Sequence, residues 1–308
     1  MKRKGSSIYL LLLLAILTLF FPGCVSVGEK VVVIPLTGSI TSGGAPSFFS
    51  AVITPGLVRE QLERASNEPS VKAIVLRIES PGGLVAPCQE IQYEIEKAKE
   101  CKPVVVSMGS QATSGGYYIS AKANKIVALP TTMTGSIGVI SQIPVLEGLY
   151  EKLGIDWQIF KGGRYKDMYA GIRELLPEEK IIMQQMVDEY YEQFIAVVAE
   201  GRNLSKDEVR ELATGQIYTG TEAKKLGLVD ELGGLSTAID LAAQLAGIQS
   251  PQVETYSQSS RSPLDFLLGA GVEDAQMLAE MKALGLNEED IILLNALKQA
   301  YPVPQYFY

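Results

Sequence analysis

The sequence predicts an α/β protein built on a mostly parallel sheet. Short β-branched or apolar runs recur at residues 30–36, 71–78, 103–108 and 125–129. Helix-length segments lie between most of them, the spacing of parallel βα units. Glycine-containing turns follow the runs, as they do where sheet edges carry ligand sites.

Composition bounds the rest. The chain has 308 residues, 47% hydrophobic and 20% charged, enough for a real core and unlike a disordered chain. Its net charge is −8 and no basic run follows residue 4, which speaks against nucleic-acid binding. It contains no histidine, so Ser-His-Asp triads, Cys-His dyads and His-ligated metals are excluded. Three cysteines are too few for a thiolate metal site.

Lys2, Arg3 and Lys4 precede an apolar run at residues 8–21, the length of a signal-peptide core and, extended to Val27, of a short anchor. The basic head stays cytoplasmic and places the remainder outside, so the expected location is the cell membrane with an extracytoplasmic domain. Cys24 reads either as a lipoprotein processing site or as a residue at the membrane edge. Cys88 and Cys101 lie about 20 Å apart if the segment between them is helical, so they read as core residues or free thiols.

After the first strand, residues 37–51 read as a polar loop. Thr54 caps a helix with Pro55 in its first turn. The strand at 71–78 ends at Ser80-Pro81-Gly82-Gly83, and a helix runs on to about residue 99. Residues 109–113 read as a turn and 114–122 as a short helix. Residues 138–141 begin another strand, and 156–160 (DWQIF) read as a strand before the loop 161–165. After Pro177 the character turns helical, with Ser205 and Glu208 as a capping box. Further helices are expected at 221–226 and 235–246. Residues 249–263 read as a linker and the rest as weak helices and a tail, YPVPQYFY. The segments are therefore 1–29 (anchor or leader), 30–246 (the folded domain) and 247–308 (linker and tail).

Three glycine turns carry the chemistry: SPGG (80–83), TSGGYY (113–118) and TGSIGV (134–139). Ser114 falls at a strand-to-helix transition, where a hydroxyl meets backbone N–H groups that face a developing oxyanion. A serine nucleophile needs a base, and without histidine the candidates are Lys, Asp and Glu. A lysine becomes a base only when apolar surroundings without a carboxylate lower its pKa from about 10.4 to about 7–8. Lys166, in GRYKDM (163–168), is one candidate; Lys122, Lys125 and Lys161 are the others. Asp167 must point away from Lys166 if that lysine is to lose its proton.

These motifs, with TGTEAKKLGLVDELGG (219–234), jointly resemble the signal peptide peptidase A family. The resemblance spans about residues 31–246 and matches the single-copy form. It implies a Clp/crotonase-like fold of repeated ββα units and a serine endopeptidase with a Ser/Lys dyad. It assigns Ser114 as nucleophile, Lys166 as general base, Ser136 as the serine that holds the lysine, and Gly83 and Gly115 as oxyanion-hole donors. No cofactor or metal is implied. Implied partners are remnant signal peptides, the membrane through the N-terminal segment, and further copies of the chain in an octameric ring with sites between neighbours. The apolar tail at 301–308 resembles family tails that reach the active-site groove. Alternatives are a Ser/Lys protease dedicated to a membrane protein such as a stomatin-like partner, a crotonase-like acyl-CoA enzyme, and a non-catalytic scaffold.

Overall fold

Strand β1 (Lys30–Thr37) sits deep in the sheet because its residues suit two apolar faces: Val31 and Val33 point one way, Val32, Ile34 and Leu36 the other. The computed structural model describes residues 28–43 and 51–257, and the backbone of 306–307. The anchor segment, Cys24 and the helices expected within 264–300 lie outside the described residues.

The segment read as a polar loop holds one short strand, β2 (Ser39–Ile40), which pairs with β3 (Val52–Ile53) just beyond it. Helix α1 (Pro55–Asn67) starts as expected, with the Thr54 hydroxyl accepting from the Leu57 N–H at 3.3 Å. Strand β4 (Val71–Ser80), helix α2 (Val85–Cys101), strand β5 (Val104–Thr113) and helix α3 (Gly115–Ser120) complete the first half.

Residues 109–113 are not the expected turn. Strand β5 continues through them, leaving β6 (Lys125–Ala128), its partner at 105–107, for β7 (Met133–Gly135), its partner at 111–113. At the changeover the ladder is interrupted, and the Glu79 carboxylate accepts the Ser110 and Gln111 N–H groups at 2.7 and 3.0 Å. Gly109 is required there, since a Cβ would lie 1.9 Å from a Glu79 oxygen. A glycine that reads as a turn from the sequence here makes room for a side-chain latch.

The second half comprises β8 (Ile140–Ser141), α4 (Glu147–Leu153), α5 (Pro177–Arg202) and α6 (Lys206–Leu212), then β9 (Ile217–Thr219), α7 (Gly220–Lys225), β10 (Glu231–Leu232), α8 (Leu235–Ala246) and β11 (Gln252–Thr255). The capping box at Ser205 and Glu208 forms as expected. The sheet order is β10-β6-β5-β4-β1-β11, parallel throughout, with β7 beside the end of β5 and β9 antiparallel to β7. The linker expected at 249–263 thus contains an edge strand, β11, registered along β1. Its four residues pair their backbone with an exposed strand edge, a gain invisible to composition.

Helix α8 covers one face of the sheet, burying Ala238 and Ala242 on Val31, Ala73 and Val105. The larger core forms on the other face beneath α2, α3 and α5. Helix α3 is held by the Tyr117 hydroxyl donating to the Leu228 carbonyl at 2.9 Å, and by Tyr118 edge-on to Phe194 at 5.1 Å. The motif at 219–234 does structural work here: Asp230 accepts from the Ile126 N–H at 2.8 Å and pairs with Arg202 and Lys125.

One region departs from this. The strand expected at 156–160 is not formed: among the described residues it has no strand partner, and all five residues are exposed. Helix α4 beside it buries none of its residues. Leu149, Leu153, Trp157, Ile159 and Phe160 all face solvent, Phe160 with 92% of its surface. Trp157 packs edge-on to Tyr150 at 5.3 Å, and among the described residues the arm keeps an exposed apolar face. Among the described residues no helix is long and apolar enough to cross a membrane.

Candidate active site

The carboxyl ends of β4, β5 and β7 bring the three glycine turns together, as parallel strands must when each ends at one sheet edge. Ser114 occupies the step from β5 into α3. Its backbone has φ 54° and ψ −119°, a strained conformation for a residue with a Cβ. Two bonds hold it: the Ser114 N–H donates to the Gly135 carbonyl at 2.8 Å, and its carbonyl accepts from the Tyr118 N–H at 2.9 Å. The hydroxyl makes no capping bond, so the serine is not a cap residue doing routine helix work.

Ser136 is strained likewise, at φ 51°, with its N–H donating to the Gln216 carbonyl at 2.8 Å. Both serines line one cavity of about 390 Å³, with Val139, Ile140, Tyr191 and Ala213 among its walls. Apolar side chains and backbone form most of its wall, with Ser114, Ser136, Thr214 and Tyr191 as the hydroxyl-bearing residues in the lining.

Gly83 and Gly115 lie against each other. A Cβ on Gly115 would sit 3.0 Å from the Gly83 nitrogen and 2.6 Å from the Cys88 sulfur. A Cβ on Gly83 would sit 2.0 Å from the Ile40 carbonyl oxygen. Ile40 bonds the turn on one side only, donating to the Gly82 carbonyl and accepting from the Leu84 N–H, each at 2.9 Å. Backbone alternation then turns the Gly83 N–H to the opposite side, toward Gly115. The Gly115 N–H, first in its helix, stands outside the helical ladder. Cys88 is fully buried, and burial pushes its thiol up, so it is a neutral packing group here. Both expected cysteines are free.

The four candidate lysines separate by their partners. Lys122 binds Glu96 and Glu200, each at 2.8 Å; burial opposes its charge, but the two carboxylates outweigh it and raise its pKa. Lys125 binds Asp230 at 3.1 Å and Lys161 binds Asp167 at 2.5 Å. Lys166 carries no carboxylate partner among the described residues. It is exposed on the turn 161–170 and stands outside the lining of the Ser114 cavity of its own chain. Asp167 does point away: its carboxylate is taken by Lys161 and by Arg173 at 3.1 Å. Lys161 foremost, then Arg173, holds the Asp167 carboxyl at about 2, and Arg173 does the same for fully buried Glu179. Both values lie below the ordinary carboxylate range, so these pairs are complete above pH about 4.5 and released only as pH falls toward 2.

Three parts of the site escaped the sequence reading: Tyr191 in a long helix, the wall at 213–215, and the Glu79 latch. The only signal was Gly215, whose positive φ of 81° shapes the turn into β9.

Finally, the tail forms a strand, β12 (Tyr306–Phe307), antiparallel to β8, with Tyr306 opposite Ser141 and Phe307 opposite Ile140. Ile140 lines the Ser114 cavity, so the tail's backbone lies at its rim.

An α/β fold with a mostly parallel sheet, and the comparisons with known proteins, define a serine peptidase. The chain belongs to peptidase family S49, whose model matches residues 96–249. It is 39% identical over 270 residues to a relative from Synechocystis sp., covering 88% of this chain and 93% of that one. It is 37% identical to Protease 4 of Salmonella typhi over 78% of this chain and 38% of that protein. It is 36% identical to the chloroplastic serine protease SPPA of Arabidopsis thaliana over 79% of this chain and 37% of that one. Its type is that of signal peptide peptidase A.

Proposed function

We propose that this chain is a membrane-anchored endopeptidase that degrades remnant signal peptides through a Ser/Lys dyad completed between neighbouring copies. The observation that carries the reading is Ser114: a strained, uncapped serine lining an apolar cavity, next to Gly115, whose backbone lies against that of Gly83. Lys166, with no carboxylate partner among the described residues, is the candidate base. Because it is exposed and outside its own chain's cavity, it serves the Ser114 of the adjacent copy. The exposed arm supports this assembly: its seven-residue helix has no buried side chain, and Phe160 beside it lies open among the described residues, an apolar face suited to a neighbouring copy. The ring and its octameric count follow the family resemblance.

In this mechanism the Lys166 amine takes the Ser114 proton as the oxygen attacks the peptide carbonyl. The Gly83 and Gly115 N–H groups receive the oxyanion, each worth about 3–4 kcal/mol. Lys166 returns the proton to the leaving amine, then takes one from water, which cleaves the acyl-enzyme and restores Ser114. Ser136, which lines the same cavity as Ser114, orients the lysine. Water exclusion by the neighbouring copy would keep the amine neutral.

A peptide substrate would add to β8 as an extended strand, its alternate side chains entering the apolar cavity. The test is a comparison of synthetic signal peptides in lipid vesicles with charged peptides of equal length. Preferential cleavage of the former is expected, and equal or reversed rates would remove the substrate assignment.

The tail already lies along β8, where that substrate would bind. Deleting residues 301–308 is therefore expected to lower KM for short apolar peptides severalfold with kcat nearly unchanged. Identical kinetics with and without the tail would show that it does not compete.

A further inference from the structure

Asp167 lies next in sequence to Lys166, and a carboxylate there would be the natural partner of the amine. Both of its oxygens are already engaged. One accepts from Lys161 at 2.5 Å and from Arg173 Nη2 at 3.1 Å; the other accepts from Arg173 Nε at 3.3 Å. The same guanidinium reaches Glu179 with two bonds, at 2.8 and 2.9 Å, and the Glu174 carbonyl at 2.9 Å. Glu179 is fully buried, and it also accepts the Leu176 N–H at 2.8 Å. Met168, next but one to Lys166, is buried and pins the turn. Two cations and two carboxylates therefore cancel, and the cluster presents no net charge to Lys166. The neighbouring charged groups are paired among themselves: Arg164 with Glu178, and Lys180 with Glu174 at 3.9 Å.

We propose that Arg173 is a positioning residue that insulates the catalytic lysine: by binding Asp167 and Glu179 together, it keeps the Asp167 carboxylate off the Lys166 amine. A lysine base works only in its neutral form, and an adjacent carboxylate would hold it charged to higher pH. Buried Glu179 is the anchor that makes the insulation rigid, since it ties the turn to the first turn of α5. Asp167 itself is retained because it fixes the turn through Lys161 and Arg173, at the risk of quenching its neighbour. This rests on the reading of Lys166 as the base.

The test uses the full chain in its assembled form and two readouts. One is the pH–rate profile of peptide hydrolysis. The other is the pH dependence of Lys166 modification by an amine-directed reagent, read by mass spectrometry, which does not depend on activity. Arg173→Gln is expected to move the rising limb and the labelling midpoint upward by about half to one pH unit, a threefold to tenfold loss of rate at fixed pH on the limb. Adding Asp167→Asn to Arg173→Gln is expected to bring both midpoints back toward those of the parent. A merely structural role for Arg173 would lower kcat with both midpoints fixed. Should Arg173→Gln fail to fold, Lys161→Met, which removes the exposed cation on Asp167, carries the same expectation with a smaller shift. Unmoved labelling midpoints, or a shift that survives Asp167→Asn, would overturn the proposal. Failure of the base assignment shows up separately, as full activity in Lys166→Ala.

Discussion

Ser114→Ala is expected to lower kcat for peptide hydrolysis by about 10³-fold or more while leaving the fold intact, and Lys166→Ala is expected to do the same. The size follows from the division of labour. Without the nucleophile no acyl-enzyme forms. Without the amine the hydroxyl must be deprotonated by water, and the leaving nitrogen has no acid. Either loss leaves only the oxyanion donors and substrate binding, so the double variant should be no worse than the worse single. The structural cost of each is small for identifiable reasons. The Ser114 hydroxyl caps nothing, and alanine keeps the same Cβ at φ 54°. Lys166 is exposed and holds no ion pair among the described residues. Thermal unfolding should therefore be nearly unchanged in both. Wild-type hydrolysis in either variant, measured on a purified chain at several pH values, would remove the dyad.

The strained serine also explains a choice of residue that stability would disfavour. A glycine at position 114 would relieve roughly 1 kcal/mol of backbone strain. Serine persists there in a conformation that aims its oxygen into the cavity rather than onto the α3 N–H groups. Ser136 shows the same positive φ and lines the same cavity.

How much of this was legible in advance depends on what each signal reports. Strands β1, β4 and β6 announce themselves because both of their faces are largely buried, so their central residues run apolar. Thr54-Pro55 announces a helix start because cap and ring chemistry are local. The glycine turns at 80–83 and 113–116 are legible because backbone approaches backbone there, and only glycine fits. What failed depended on partners distant in sequence. The end of β5 is a strand because Glu79 and β7 reach it. Residues 252–255 are a strand because β1 leaves an edge open. Residues 156–160 read as a strand because Trp157, Ile159 and Phe160 are apolar, yet among the described residues no strand pairs with them. Asp167 is the converse case: its need to face away from Lys166 was plain from chemistry, but the residues that turn it, Arg173 and Glu179, were not.

The exposed arm and the misplaced lysine lead to the second large effect. If each Ser114 takes its lysine from the adjacent copy, two dead variants should repair each other. Rings assembled from equal parts Ser114→Ala and Lys166→Ala chains contain neighbouring pairs in which one copy supplies an intact serine and the next an intact lysine. In a head-to-tail ring each serine faces a single lysine, so random mixing restores about a quarter of the sites. Co-refolding or co-expression of the two variants is therefore expected to return about 25% of wild-type kcat from parents that are each about 10³-fold down. The recovery should vanish when the chains are mixed after assembly without subunit exchange, because then no mixed interface exists. A dyad closed within one chain gives the opposite result, since every subunit would carry one broken half and no arrangement of neighbours would mend it. The apolar arm sharpens the distinction: placing aspartate at both Trp157 and Phe160 would leave the buried core untouched, since both side chains are exposed, with 92% of Phe160 in solvent. It should dissolve the ring and, with it, the complementation. Activity that survives such dissolution would mean that Lys166 swings into its own cavity after all.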